Sequence, residues 1–434
     1  LHILLVRFLL VSFITTSVKS QESVPRQSTH QEQAERFEER TPPVEKIHVL
    51  TGLENLLANH AHKLRGKRLG IITNHTGIGR DGRPIWELIA AIPATQVTAL
   101  FSPEHGIFGE VSDGEKIHYD DTVATARIHS LYGENRKPSR EMLEEIDLLL
   151  YDIQDIGARF YTYITTMGLV MEAAAEAGIP VMILDRPNPL TGVRIDGPVL
   201  DLRFSSFVGY YPLPSQYGMT AGELAQMIIS EGWIKSIPSL EVIPLVGWHR
   251  DYWYDDSDLP WIETSPNIPD LNTATIYLGM VLMEATNVSE GRGTDHPFVW
   301  IGVPWIDGTM LSQEMNKANL PGVAFRPVQF TPREISGKAV NPKYVGQVCH
   351  GIETTVVDRT VFQSVTTGIT LLTLLDSYYP DRLKIRTEAL NRLAGSDILS
   401  RALAKGKSPE DIAASYSDAL KSFDEKRKKY LLYP

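Results

Sequence analysis

The chain reads as an α/β protein, a doubly wound, mostly parallel sheet followed by a second, α+β domain. Three observations lead there. Strand-like and helix-like stretches alternate from about residue 68 to residue 184. The strand-like runs, Leu148-Leu149-Leu150-Tyr151 and Val181-Met182-Ile183-Leu184 among them, are apolar throughout, as expected of strands covered by helices on both faces. These runs also stop on polar residues, at the register where open α/β sheets place their ligands.

Taken in order, residues 1–18 are apolar but for His2, Arg7 and a few hydroxyls, and Val18-Lys19-Ser20 fits what a signal peptidase reads. A secretory signal over 1–20, cleaved near Ser20, is expected, and with it an exported protein, periplasmic or extracellular. The competing reading is an uncleaved anchor, for which the apolar run is short; no stable membrane insertion is expected after cleavage. Residues 21–46 are rich in Gln, Glu, Arg and Pro; they cannot bury enough surface to offset their ordering entropy and read as a flexible linker.

The first domain is expected over 47–238. Leu53, Leu56, Leu57 and Leu64 recur at near-helical spacing, and a strand over 68–74 follows. Pro84 opens a helix over 84–91, as proline favours the first turn. Further strands are expected at 97–101, 127–131, 148–153 and 181–184, with a helix over 162–177 closed by Gly178 and Pro180. After a proline-rich stretch, Thr220 and Glu223 give the capping-box pattern of a helix over 220–231. Residues 239–434 mix short strands with helices at 308–318, 366–378 and 409–429, and read as the second domain, closing a cleft.

Composition narrows the function. The 434 residues are 43% hydrophobic and carry a net charge of −11, ordinary for a globular protein. Nucleic acid is not an expected partner, because no clustered Lys/Arg surface is present. Cys349 is the only cysteine, so no intramolecular disulfide, iron–sulfur cluster or multi-cysteine zinc site can form.

The chemistry gathers at the strand ends. Asn74-His75 follows the first strand, Ser102-Pro103-Glu104-His105-Gly106 the second, Asp152-Ile153-Gln154-Asp155 the fourth and Asp185-Arg186-Pro187-Asn188-Pro189 the fifth. One such motif alone is better explained as a solvated loop. Four on one sheet edge converge on one crevice. Two carboxylates across a crevice suit glycoside hydrolysis, where one acid protonates the leaving oxygen. Glu104, followed by apolar Ile107-Phe108, is the candidate acid, and Asp152 the candidate second group, with helix capping as its alternative role. Arg159, Tyr161, Tyr163, Trp248 and Tyr252-Trp253-Tyr254 supply groups that stack on sugars or clamp carboxylates. Glu290 and Arg292, in the Gly-flanked stretch Ser289-Glu290-Gly291-Arg292-Gly293, can bond hydroxyls or a carboxylate; a tight turn with an ion pair explains them as well. A rival, metal-assisted hydrolysis, would draw on His75, His105, Asp152, Asp155 and Asp185, yet no His-x-x-x-His spacing supports it. No metal or cofactor is expected.

Several longer stretches now combine: Gly52-Leu53-Glu54, Leu69-Gly70-Ile71-Ile72-Thr73-Asn74-His75-Thr76-Gly77, the Ser102–Gly109 motif, the run of residues 151–163, Asp185-Arg186-Pro187-Asn188-Pro189 and Glu290-Gly291-Arg292-Gly293-Thr294. Together and in this order they resemble the NamZ-type exo-β-N-acetylmuramidases, over about residues 48–434. The resemblance implies a Rossmann-like catalytic domain, a cleft beside the second domain, a catalytic Glu that falls on Glu104, and release of N-acetylmuramic acid from peptidoglycan-derived muramoyl saccharides. Asn74, His75, His105, Gln154, Asp155, Arg159, Tyr161, Tyr163, Asp185, Arg186, Asn188, Glu290 and Arg292 are then candidate substrate contacts. Arg159 or Arg292 could pair with the lactyl carboxylate. A non-hydrolytic cell-wall sugar-binding protein is the alternative from another class.

Overall fold

The computed structural model describes residues 46–112, 122–123 and 126–434. The expected signal over 1–20, and all but the end of the expected linker, lie outside the described residues. Seven strands form the main sheet: β1 (Arg68–Thr73), β2 (Gln96–Ser102), β3 (Thr122–Val123), β4 (Ala126–Ser130), β5 (Leu148–Asp152), β6 (Val181–Leu184) and β7 (Leu240–Ile243). Their order is β3-β4-β2-β1-β5-β6-β7, parallel except for the β3–β4 pair. The chain winds outward from β1 through β2 to β4, then returns to β5 on the other side of β1. The carboxyl ends of β1 and β5 therefore flank a topological switch point.

The absence of in/out alternation is explained by two cores. Leu69, Ile71, Leu100, Leu148, Leu150, Met182 and Leu184 point to one face and pack on Leu53, Leu56, Leu64, Ile85, Trp86 and Ile89. Ile72, Phe101, Leu149, Tyr151 and Ile183 point to the other, against Ile164, Met167 and Met171 of the Tyr163–Ala177 helix and Leu224 and Ile228 of the Ala221–Ser230 helix. Gly178 ends the first of these helices in the left-handed region, φ 73°. Thr220 and Glu223 form the expected capping box at the start of the second.

Some elements differ from their sequence reading. The leucine repeat near residue 53 makes a short α turn (Gly52–Asn55) that runs into π and 3-10 turns rather than one helix. The expected helix over 409–429 breaks at Tyr416, whose ring turns into the core, giving Pro409–Ser415 and Ser417–Arg427. Residue 238 does not divide the sheets either. β7 pairs with β6 from Val181↔Leu240 to Leu184↔Ile243, so the main sheet takes in a strand beyond the expected boundary.

The later residues build an antiparallel sheet of order β8-β10-β9, from β8 (Trp300–Val303), β9 (Val323–Phe330) and β10 (Cys349–Val356). Ile276 and Leu278 of the Leu271–Met280 helix and Ile369, Leu372 and Leu375 of the Ser364–Tyr378 helix share one apolar core with Tyr151 and Ile164 of the first sheet and its helix. Among the described residues no helix is long and apolar enough to cross a membrane.

Candidate active site

Glu104 and His105 follow β2 directly and line a cavity of about 130 Å³ together with Tyr161, Thr162, Tyr163, Ser265, Asn267, Tyr277, Glu284, Arg292 and Phe298. Glu104 is half-buried. Its Oε2 accepts a hydrogen bond of 2.8 Å from the Thr162 hydroxyl. Thr162 occupies the N-cap position of the Tyr163–Ala177 helix without capping it through its side chain, so that hydroxyl is available to orient the carboxylate.

His105 adopts φ 69°, the left-handed region that non-glycine residues rarely occupy. Gly106 follows at φ 80°, and the two together turn the chain sharply at the strand end. The imidazole Nδ1 donates to the Val111 carbonyl at 2.8 Å while Val111 N–H donates to the His105 carbonyl at 3.3 Å. A carbonyl only accepts, which fixes the proton on Nδ1.

The opposite walls are aromatic. Tyr161 and Tyr163 meet edge to face at 4.9 Å, and their hydroxyls donate to Thr264 Oγ1 at 2.9 Å and the Thr264 carbonyl at 2.7 Å. Tyr277 packs on Phe298 at 4.6 Å, and the Arg292 guanidinium lies 5.1 Å from the Phe298 ring centre. Arg292 also donates to Glu284 at 2.8 Å and stands 3.5 Å from Glu290. Left-handed Gly291 and Gly293, φ 78° and 81°, shape the loop that aims it.

The other strand-end residues do not line this cavity. Asp152 is fully buried, and Arg186 Nε and Nη2 hold its two oxygens at 2.5 and 3.0 Å. It does not line the cavity. Asn74 Oδ1 accepts from Thr76 N–H and Oγ1. Thr76 Oγ1 in turn accepts from Gln154 N–H, and the Gln154 amide bonds the carbonyls of Asp155 and Pro187. Asp155 accepts from Gly157 N–H at 2.7 Å and from the Tyr217 hydroxyl, and burial pushes its carboxyl up to about 7. Asp185 accepts from Thr220 Oγ1, Gly222 N–H and Tyr433 OH, with burial raising it to about 6. Asn188 ties the Leu190 N–H to the Met219 carbonyl.

Arg159 is likewise structural. It donates to the carbonyls of Pro198, Leu213 and Leu393, and burial lowers its guanidinium to about 9. Trp248, Trp253 and Tyr254 are buried packing residues. Glu290 binds Lys343 at 2.8 Å beside the cavity. His75 donates through Nε2 to the Glu263 carbonyl at 2.6 Å, and burial lowers its pKa; it lines an adjoining groove. The metal-ligand set imagined from His75, His105, Asp152, Asp155 and Asp185 is thus dispersed among separate partners. Thr162 lay within a quoted motif but carries no signal of its own in the sequence. Ser265, Asn267, Tyr277 and Glu284 come from a stretch that offers no strand-end or glycine-loop signal.

Comparison with known proteins gives this geometry a family. The profile described as exo-beta-N-acetylmuramidase NamZ, N-terminal, matches residues 69–272, and its C-terminal counterpart residues 275–433. A protein of Bacillus subtilis (strain 168) named peptidoglycan beta-N-acetylmuramidase NamZ is 41% identical over 390 residues, 89% of this chain and 92% of that protein. Two crystal structures of DUF1343 family proteins from Bacteroides fragilis NCTC 9343 share the fold. One aligns at a TM-score of 0.82 and 33% identity over 90% of this chain and all of the other. The second aligns at 0.71 and 34% identity over 89% and 99%. The chain belongs to the NamZ exo-β-N-acetylmuramidase family and spans both of its domains.

Proposed function

We propose that the protein is an exo-acting glycosidase that releases N-acetylmuramic acid from the non-reducing ends of peptidoglycan fragments, with Glu104 as general acid. The observation that carries this is a half-buried carboxyl, oriented by Thr162, in an aromatic-walled cavity. At about 130 Å³ the cavity suits one terminal ring rather than a threaded chain. The apolar segment over residues 1–18 supports export to where such fragments arise.

Glu104 protonates the glycosidic oxygen as the bond from C1 to that oxygen breaks. Among the described residues, Glu284 is the other carboxylate on the cavity wall, and it is engaged by Arg292. The arrangement therefore suits attack on C1 by the oxygen of the sugar's own 2-acetamido group. Water then adds at C1 as the bond from C1 to the acetamido oxygen breaks and the acetamide is restored; the water gives its proton to the Glu104 carboxylate, regenerating the acid. Asp152 holds Arg186 and with it the loop after β6 in place.

The test is a disaccharide of N-acetylmuramic acid linked to N-acetylglucosamine. The protein is expected to release free muramic acid derivative, and Glu104→Gln to lower kcat by about 10²–10⁴-fold. Equal release by both forms removes Glu104 from the chemistry, and release by neither favours a sugar-binding role.

A further inference from the structure

The loop that carries Glu104 and His105 into the cavity continues as Ile107-Phe108-Gly109-Glu110, and Phe108, Gly109 and Glu110 line a second, larger space of about 690 Å³. Ser265 lines both spaces, so the two adjoin at the loop bearing the acid. The second space is walled by His75, Trp261, Ile262, Glu263 and Lys338 as well. Phe108 is 53% exposed. Gly106 and Gly109 flank it in left-handed conformations, φ 80° and 72°, and a side chain at Gly109 would lie 2.2 Å from Nδ1 of His75. The loop is thus pressed onto the His75 ring and holds part of an aromatic side chain out toward water, where the exposed part gains nothing from burial. At the rim, Lys338 and Glu263 pair at 2.9 Å, both partly exposed, and offer a donor and acceptors to hydroxyls.

A different space adjoins the cavity through Glu284 and Arg292. It measures about 330 Å³ and is lined by Arg292, Lys338, Lys343 and Arg386 against Glu284 and Glu290. Its excess of cations suits an acidic substituent. The Phe108 groove, with an aromatic face, the Lys338–Glu263 pair and Glu110 but no excess of cations, suits an uncharged sugar, whose ring C–H face stacks on aromatics.

We propose that the Phe108 groove is the leaving-group subsite, which binds the uncharged N-acetylhexosamine on the far side of the scissile bond by stacking it on Phe108. The assignment rests on the muramidase reading for which bond is cut, but the groove's affinity for such a sugar stands on its own. Binding is tested first, by calorimetric titration of the full chain with a β-1,4-linked N-acetylglucosamine disaccharide. Saturable binding is expected, with Kd raised roughly three- to tenfold in Phe108→Ala; no binding, or equal Kd in both proteins, overturns the assignment.

The second measurement compares kcat/KM for the muramoyl disaccharide with that for an aryl muramoyl glycoside, whose leaving group is not a sugar. Phe108→Ala is expected to lower the ratio of the first to the second by a similar factor. A ratio that holds in Phe108→Ala but falls in Arg386→Ala places the leaving sugar in the cationic space and overturns the proposal. Absence of hydrolysis of either substrate by the unaltered protein would count against the muramidase reading, while the titration still decides the groove.

Discussion

Arg159 and Arg292 were equal candidates for a substrate carboxylate, and what each guanidinium already holds separates them. Arg159 is 3% exposed and donates to three backbone carbonyls. It braces the chain between Pro198, Leu213 and Leu393. Arg292 lines the cavity, backed by Phe298 and positioned by Glu284. A charge-assisted bond from arginine to a carboxylate contributes about 1.5–3 kcal/mol. Arg292→Ala is therefore expected to raise KM for a muramoyl glycoside about 10–100-fold, and to change KM much less for the matching N-acetylglucosaminyl glycoside, which lacks the lactyl acid. Equal changes for the two sugars would deny Arg292 that role. Residue identities announced that arginines and carboxylates would matter. Their neighbours could not be read there, because Leu393 stands 234 positions from Arg159 and Thr162 stands 58 from Glu104.

The strand ends carry both the success and the failure of reading elements from sequence. β1, β2, β4, β5 and β6 were legible because strands buried on both faces leave unbroken apolar runs. β7 was hidden, since Leu240–Ile243 lies at the sheet's outer position and includes half-exposed positions. Polar residues do converge at one sheet edge, but most of them bond each other. A loop whose backbone is buried must satisfy its N–H and C=O groups, and short polar side chains do this as readily as they bind substrate.

Asp155 illustrates the energetic consequence for the loop after β5. Its carboxyl is higher in the folded chain, about 7, than the ordinary 3.8, so the folded state holds the proton more tightly. The stability it contributes is full below about pH 4 and is lost as pH rises toward 7. Asp155→Asn keeps an acceptor for Gly157 and Tyr217 and removes the charge. Urea denaturation at pH 5 and pH 8 should show the variant losing less stability between the two than the parent, by on the order of 2–4 kcal/mol. Identical pH dependence would mean that Asp155 stays ionised when folded.

At the scale of the whole molecule, sequence reading divided the chain at residue 238 and the family profiles meet between 272 and 275. Packing makes no such division in the core. Tyr151, Ile164, Leu278, Ile301 and Leu372 belong to one apolar cluster, and residues 46–434 form one compact unit. Unfolding is therefore expected as a single calorimetric transition, with residues 275–434 failing to fold alone. Two separated transitions would show that the halves are energetically independent. A shared core also explains why the cavity could be assembled from both halves, with Glu104 from one and Glu284 and Arg292 from the other.

The hydrogen bond from Tyr433 to Asp185 spans 248 positions. Asp185 follows β6 and is fully buried, yet one of its partners is synthesised long after it. A ribosome that has completed the main sheet has still not supplied the hydroxyl that this buried acid needs. The full set of hydrogen bonds on this buried acid is consequently complete only once the last residues of the chain are in place.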